Sequence, residues 1–287
     1  MSPRKTALPV PPPIVFVHGM WLHAASWQNW VDLFAAEGFD ASAPAWPGER
    51  PTVAASRADT AGIGGLTMDR LVSSYASLIR DMPVQPVLIG HSLGGTVVQT
   101  LLTAGYGAAG VILDSARFDG DLPGALSTLR LGLPRLTDPR SVDDAIALTD
   151  YQFRFAFGRS LDAAESDAYY REFAIPAPAR LLLEPEIAGI DLPAAPGPKG
   201  KPTAALLTLE SAGPAAGSLG RRRLYDGPDS DAQPIRFPDR GASFVFDEGW
   251  RDVAECALDW VQDRFGSVKT AAGAHRRRGV ALRGTAA

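Results

Sequence analysis

The feature that most constrains the fold of this chain is the segment 90–95, which reads Gly-His-Ser-Leu-Gly-Gly. One apolar run precedes it at residues 86–89, and a second follows it at residues 96–102. This order predicts a strand, a sharp turn and a helix, because the glycines let neighbouring backbone pass close to the turn. A turn of this kind exposes the hydroxyl of its central serine, so Ser92 is the candidate nucleophile. A glycine-rich turn without any chemistry would give the same pattern.

Strands and helices alternate along the first 114 residues. The apolar runs Ile14–Val17 and 110–113 are continuous, which is typical of strands buried on both faces of a parallel sheet. Apolar residues at helical spacing follow Ser26 and Thr67. Parallel strands joined by such helices imply right-handed crossovers. The sequence therefore predicts an α/β fold with a doubly wound, mostly parallel sheet.

Changes in composition divide the chain into five segments. Between the two parts of the core, at residues 115–193, prolines break a helical pattern and aromatic residues are interleaved. This pattern predicts a helical cap insertion over the strand ends. These aromatic residues are expected either to form the insertion's own core or to line a pocket for a partly apolar molecule. The segments are an N-terminal extension (1–11), the first part of the core (12–114), the cap insertion (115–193), the second part of the core (194–265) and a disordered tail (266–287).

Composition and charge argue against several classes of protein. A net charge of -4 offers no general attraction to nucleic acid, and no apolar run approaches the ~18 residues of a membrane span. Prolines follow the basic N-terminus where a secretory signal would have an apolar region. The single cysteine, Cys256, excludes an intramolecular disulfide framework and falls in a helical pattern that predicts a buried thiol. We therefore expect a cytoplasmic protein.

No metal or cofactor is expected from the sequence. The four histidines are not at metal-ligand spacing, and the glycines at residues 62–65 lack the lysine of a phosphate-binding loop. The expected partner is a small-molecule substrate or ligand, with no nucleic acid and no membrane, and the oligomeric state is left open. The basic run at residues 275–278 is either a solvated part of the tail or a short interaction arm.

Three features together resemble the α/β-hydrolase superfamily over about residues 12–265. They are His18-Gly19 after the first buried strand, the Gly-His-Ser-Leu-Gly turn, and the insertion after the following strand. The chain is most similar to bacterial members whose first loop reads His-Gly-Met-Trp-Leu-His and whose final helix begins at Gly-Trp, here Gly249-Trp250. The resemblance implies an α/β-hydrolase fold with a helical cap and the chemistry of a serine hydrolase.

The resemblance also assigns roles to particular residues. Ser92 would attack a carbonyl carbon, and the backbone N–H groups of Met20 and Leu93 would hold the resulting oxyanion. Trp21 and His91 would contact the substrate. A histidine would accept the serine's proton, and an acid would fix that histidine's tautomer.

The expected base and acid are missing from their usual positions. Ala242 stands where the resemblance places the histidine, and an alanine methyl cannot accept a proton. Gly213 stands in the turn where an aspartate is expected. Glu210 is the nearest carboxylate, and Asp114 stands at an alternative position that holds the acid in some relatives. Asp114 is also suited to cap the start of the insertion. Of the four histidines, His23 is the remaining candidate base.

Two main functions follow from this pattern. The first is hydrolysis of a small, partly apolar ester or acyl substrate through Ser92, with an incomplete Ser-His-Asp triad. The second is a non-hydrolytic role, in which the pocket binds a ligand or performs a different reaction such as a rearrangement or cyclisation. A third reading is an inactive gene product whose C-terminal third has drifted.

Overall fold

The computed structural model describes residues 11–115, 141–158, 160–183, 204–212 and 233–266, together with single residues at 190, 192, 193, 195, 225 and 227. Residues 1–10 of the predicted N-terminal extension, the predicted tail beyond residue 266 and Gly213 therefore lie outside the described residues. The segment between the fourth and seventh strands, described at residues 141–158 and 160–183, is called the inserted segment below.

A six-stranded sheet forms the centre of the described part, and every neighbouring pair of its strands is parallel. The strands are β1 (Ile14–Val17), β2 (Ala41–Ser42), β3 (Val87–His91), β4 (Ala109–Leu113), β5 (Ala145–Ile146), β6 (Ala177–Pro178), β7 (Ala205–Ser211) and β8 (Ile235–Phe237). The sheet has the order β2-β1-β3-β4-β7-β8, while β5 and β6 form a separate antiparallel pair. This confirms the predicted α/β fold with a mostly parallel sheet.

The register of the sheet brings several carboxyl ends to one edge. Val17 of β1 pairs with Gly90 of β3, and His91 pairs with Leu113 of β4. The segments that follow β1, β3 and β4 therefore emerge side by side, as is usual for ligand sites on parallel sheets. The apolar stretch at residues 203–209 predicts a strand, whereas β7 ends at Ser211, two residues beyond that predicted end.

Helices cover the sheet and build the inserted segment. They are α1 (Gln28–Ala36), α2 (Val53–Ala58), α3 (Met68–Arg80), α4 (Leu93–Thr103), α5 (Asp150–Ala156), α6 (Ala163–Phe173), α7 (Arg180–Leu183) and α8 (Trp250–Phe265). Within the described residues, no helix combines the length and the apolar composition that crossing a membrane requires.

The core forms because strands without polar positions can be covered on both faces. All four residues of Ile14–Val17 are buried, and the ring of Phe16 stacks on Trp27 with centroids 4.9 Å apart. In the inserted segment, Phe153 and Phe157 pack against each other at 4.8 Å, and both lie near Phe246. These aromatic side chains join the inserted segment to the loop that precedes α8. The predicted buried thiol, Cys256, is only partly buried and packs against the core.

Candidate active site

Ser92 lies in the turn between β3 and α4 with a positive φ of 52°, which residues other than glycine rarely adopt. The backbone is crowded on both sides of this turn. A Cβ atom on Gly90 would lie 2.3 Å from the carbonyl oxygen of Gly94, and one on Gly94 would lie 2.1 Å from that of Val17. The Ser92 N–H donates to the Leu113 carbonyl oxygen at 2.9 Å. Packing thus requires both glycines, whatever Ser92 does.

The loop after β1, called the first loop below (residues 18–23), lies against Ser92. A Cβ atom on Gly19 would be 3.0 Å from the Cβ atom of Ser92 and 3.1 Å from the His91 carbonyl oxygen. Met20 comes next and is buried, while Leu93 begins α4, so its N–H has no acceptor within the helix. The two predicted oxyanion donors therefore belong to the two segments that flank Ser92.

The first loop is also hydrogen-bonded to the inserted segment. Residues 21–23 form a short antiparallel bridge with residues 173–175, held by two backbone hydrogen bonds of 3.0 and 2.9 Å. Trp21, a predicted substrate contact, has a φ of 62° and is 2% exposed. Its indole N–H donates to the Ile146 carbonyl oxygen at 2.9 Å. The Trp21 side chain is therefore fixed between the first loop and the inserted segment.

A buried carboxylate that the sequence analysis missed, Glu49, joins the two histidines of the first loop. Its oxygens lie 2.9 Å from Nε2 of His18 and 3.2 Å from Nε2 of His23. The backbone N–H groups of Ala24 and Trp46 donate to it at 2.8 and 3.3 Å. Burial raises the pKa of Glu49, but the His18 charge and these hydrogen bonds outweigh it, so the pKa lies below its ordinary value. The ionised carboxylate braces the first loop.

Both ring nitrogens of His23, the candidate base, have partners. Nδ1 accepts a hydrogen bond from the Ala25 N–H at 3.0 Å, and this bond caps the short helix Ala24–Trp27. Nε2 lies 3.0 Å from the Arg50 carbonyl oxygen, besides its contact with Glu49. The role of His23 as a base stays a prediction, and it would require the ring to give up one of these partners.

His91, the second predicted substrate contact, is 1% exposed, and neither of its ring nitrogens has a hydrogen-bond partner among the described residues. The rings of Phe157 and Phe244 lie 6.5 and 6.4 Å from it. Burial lowers the pKa of His91 to about 3, although the backbone of Ala242 acts in the opposite direction. The ring is therefore neutral at physiological pH.

Ala242 lies beside His91, in the loop between β8 and α8. The neighbouring Ser243 is fully buried and donates a hydrogen bond to Asp247 at 2.8 Å. Asp247 also accepts from the Gly249 N–H at 2.9 Å, so this carboxylate organises the start of α8. Among the described residues, no imidazole nitrogen forms a hydrogen bond with the Ser92 hydroxyl.

The two candidate acids are held by other groups. Asp114 accepts hydrogen bonds from the N–H and the hydroxyl of Ser211, at 2.8 and 2.5 Å. Burial raises the pKa of Asp114 to about 6 against these hydrogen bonds, and the charge of Glu210 adds to the rise. Glu210 lies inside β7 and forms an ion pair with Arg236 at 3.1 Å. Both roles as catalytic acids stay predictions.

The described part of the chain contains no group of three or more His, Cys, Asp or Glu side chains that could hold a metal ion. The arrangement around Ser92 can place a serine hydroxyl beside backbone N–H donors. What it lacks, within the same residues, is a nitrogen base in contact with that hydroxyl.

Comparison with known structures found several proteins of similar fold. An extracellular α/β-hydrolase from a Paenibacillus species is 18% identical, covers 87% of this chain and 98% of its own, and has a TM-score of 0.58. A protein from Mycobacterium tuberculosis named as the non-heme bromoperoxidase BpoC is 18% identical, with coverages of 88% and 92% and a TM-score of 0.62. A structure of the metagenome-derived lipolytic enzymes LipS and LipT is 14% identical, with coverages of 90% and 100% and a TM-score of 0.56. At these identities the similarity shows the fold alone.

A search of curated protein sequences found no significant match. The family model for the alpha/beta hydrolase family, in contrast, matches residues 14–256, which is most of the chain. Together with the parallel sheet and the turn at Ser92, this match shows that the chain belongs to the alpha/beta hydrolase family.

Proposed function

We propose that Ser92 is a nucleophile that accepts the acyl group of a small, partly apolar ester. Turnover is slow because no general base among the described residues is hydrogen-bonded to the Ser92 hydroxyl. The observation that carries the proposal is the positive φ of Ser92. Such a conformation costs about 1–3 kcal/mol for a residue with a side chain, and glycine would avoid most of that cost. A serine at this position is explained by a use for its hydroxyl.

In the proposed reaction, the Ser92 oxygen attacks the substrate's carbonyl carbon and the carbonyl oxygen becomes an oxyanion. The N–H groups of Leu93 and Met20 donate to that oxyanion. The serine's proton passes to water, because His23 is held by Ala25 and Glu49. When the tetrahedral intermediate collapses, the ester C–O bond breaks, and the leaving alkoxide takes a proton from water and departs as the alcohol. Attack of a second water molecule on the acyl-Ser92 carbonyl carbon then releases the carboxylic acid and restores the serine hydroxyl. A serine site without its base retains roughly 10³–10⁴-fold acceleration over water, far below that of a complete triad. Acylation of Ser92 by an activated ester is therefore expected to be detectable, whereas rapid hydrolysis is not.

We infer the substrate class from His91 and Trp21, the two predicted substrate contacts. His91 is neutral and lies among aromatic rings, and Trp21 is an apolar side chain whose polar N–H is already bonded. An uncharged molecule with an apolar part suits these neighbours better than an ionic one, since a charge there would lose its hydration without gaining a partner. We extend the proposal to a small-molecule substrate handled in the cytoplasm, as the single cysteine suggests.

A second function is favoured by a separate observation, the engagement of every candidate base and acid by structural partners. His23 caps a short helix, Asp114 binds Ser211, and Glu210 pairs with Arg236. A non-hydrolytic member of the family would use the same site to bind a ligand, or for a rearrangement or cyclisation, without an acyl intermediate at Ser92.

A fluorophosphonate probe and a series of short-chain aryl esters separate these functions. Slow hydrolase chemistry predicts labelling of Ser92 and a single turnover of aryl ester that is lost in Ser92→Ala. Ser77→Ala, a substitution at an exposed serine on α3, is the matched control and should behave as the unsubstituted protein. If Ser92 is not labelled and Ser92→Ala leaves ester turnover unchanged, the hydrolase function is refuted and the non-hydrolytic one stands.

A further inference from the structure

A cleft separate from Ser92 lies between α2, the first loop and the inserted segment. Its walls are mostly apolar and aromatic, and include Trp21, Leu148, Tyr170 and Ile175, with Arg57 at one side. The cleft has a volume of about 190 Å³. A cavity of roughly 150 Å³ is enough to bind benzene, so this cleft has room for a ring or a short acyl chain. Neither Ser92 nor Met20 lines it.

The Arg57 guanidinium is held in place by the inserted segment. Its Nε donates to the Ala174 carbonyl oxygen at 2.6 Å, and one terminal nitrogen donates to the Tyr170 carbonyl oxygen at 2.5 Å. The guanidinium carbon also lies 5.2 Å from the centre of the Tyr170 ring. A guanidinium has five N–H donors, so these two bonds leave the rest of the fork available. Because the Arg57 side chain is already fixed, less of its conformational entropy is lost when a ligand binds.

The positive charge of Arg57 is not neutralised by the described part of the chain. No carboxylate there lies within 4.0 Å of its guanidinium nitrogens, in contrast with Arg50 and Arg154, which pair with Asp59 and Asp167. A cation that is anchored to carbonyl oxygens and stacked on an aromatic ring attracts an anion more strongly than a fully hydrated one.

The other polar side chains of the cleft, Tyr170 and Trp21, already have partners. The Tyr170 hydroxyl donates to the Leu148 carbonyl oxygen at 2.9 Å, and the Trp21 indole N–H donates to Ile146. The available polar feature of these walls is therefore the free side of the Arg57 fork, which matches the two oxygens of a carboxylate. A phosphate dianion would need further cations or donors to offset its charge.

We propose that this cleft binds a small apolar monocarboxylate, with its carboxylate on Arg57 and its apolar part against Trp21 and Tyr170. The site is distinct from Ser92, and its occupancy does not depend on any reaction there. Because Trp21 belongs to the first loop, a bound carboxylate contacts the segment that also carries Met20.

Isothermal titration of the full chain with benzoate tests the proposal. Saturable binding is expected, and Arg57→Gln should weaken it by about tenfold or more, since hydrogen bonds to a charged group are lost. Arg70→Gln, at an exposed arginine on α3, is the matched control and should leave the affinity unchanged. Ala147→Phe, at an exposed position on the rim, should block binding by filling the cleft while keeping the charge.

Two further ligands keep the test decisive if Arg57→Gln does not fold. Benzamide has the shape of benzoate without its charge and should bind at least about tenfold more weakly to the unsubstituted protein. Inorganic phosphate should not displace benzoate at equal concentration. The proposal is overturned if benzoate does not bind, or if benzamide or phosphate binds as tightly as benzoate. It is also overturned if neither Arg57→Gln nor Ala147→Phe reduces the affinity for benzoate.

Discussion

Replacing Glu49 by glutamine should destabilise the fold strongly, although the two side chains have nearly the same shape. The Glu49 side chain is fully buried and accepts four contacts, from two backbone N–H groups and two imidazoles. Each of its oxygens faces one backbone N–H and one histidine. In glutamine one of the two oxygens is replaced by an NH₂ group. At either position that group faces a backbone N–H and cannot accept its hydrogen bond.

The size of the loss follows from those contacts. One backbone hydrogen bond disappears, and hydrogen bonds to charged groups contribute about 1.5–3 kcal/mol each. Glu49→Gln should therefore lower the free energy of unfolding by about 1.5–3 kcal/mol at pH 7. That is a large share of the roughly 5–15 kcal/mol that stabilises a typical domain.

Urea unfolding followed by tryptophan fluorescence measures this difference. The matched control is Glu255→Gln, because Glu255 is half exposed and its ion pair with Arg251 spans 3.8 Å on the surface of α8. Such a pair contributes at most about 0.5 kcal/mol. A loss below about 1 kcal/mol for Glu49→Gln, or a loss equal to that of the control, would refute the assignment of Glu49 as the brace of the first loop.

The pH dependence gives a second check on Glu49. Its pKa in the folded protein lies below the value of 4.5 that it has without these partners. The stability that it contributes is therefore fully present above about pH 4.5 and is lost as the pH falls through the lower, folded-state pKa. The difference in unfolding free energy between the unsubstituted protein and Glu49→Gln should narrow as the pH falls below about 4.5.

Four other substitutions test separate parts of the structure. Gly94→Ala places a methyl group 2.1 Å from the Val17 carbonyl oxygen and should cost at least about 1–3 kcal/mol in urea unfolding, whether or not the protein has activity. His91→Phe should be neutral or stabilising because it removes two buried nitrogens without partners. The folded-state pKa of about 3 lies below the unfolded value near 6.5, so His91 makes stability rise with pH across that window, and His91→Phe should remove that rise. Asp114 has the opposite effect, because its pKa is raised from 3.8 to about 6 and the free energy of unfolding therefore falls as the pH rises through this window. The free energy of unfolding of Asp114→Asn should show no such fall. Ala242→His should increase the rate of fluorophosphonate labelling of Ser92 by roughly 10²-fold or more if the added imidazole reaches the hydroxyl, and an unchanged rate would show that it does not.

The central sheet was predictable because two-sided burial leaves a direct mark on a sequence. Strands β1, β3 and β4 have no polar position that faces solvent, so their apolar runs are continuous. The predicted end of β7 was two residues short for the opposite reason. Glu210 and Ser211 are polar but buried, and their partners, Arg236 and Asp114, lie far along the chain. Local pattern cannot show a polar residue that is paired at long range.

Glu49 shows the same limit at the site itself. Its neighbours Pro47, Gly48 and Pro51 are typical of a solvent-exposed turn, and nothing local indicates that the turn folds back onto the first loop. The available signal was indirect: His18 and His23 lie in an apolar loop, and buried imidazoles require partners. The absence of a histidine at position 242, by contrast, is visible in the sequence because it concerns residue type rather than geometry.

The backbone bridge between residues 21–23 and residues 173–175 couples two parts of the molecule mechanically. If the inserted segment swings outward to admit a molecule, it must either pull Met20 away from Ser92 or break that bridge, which costs only about 1 kcal/mol per hydrogen bond. Arg57 donates a hydrogen bond to the Ala174 carbonyl oxygen in the same stretch, so a carboxylate bound to Arg57 would lie next to the bridge. While the bridge is intact, the position of the first loop is tied to that of residues 173–175, so a displacement of the inserted segment is expected to displace Met20 as well.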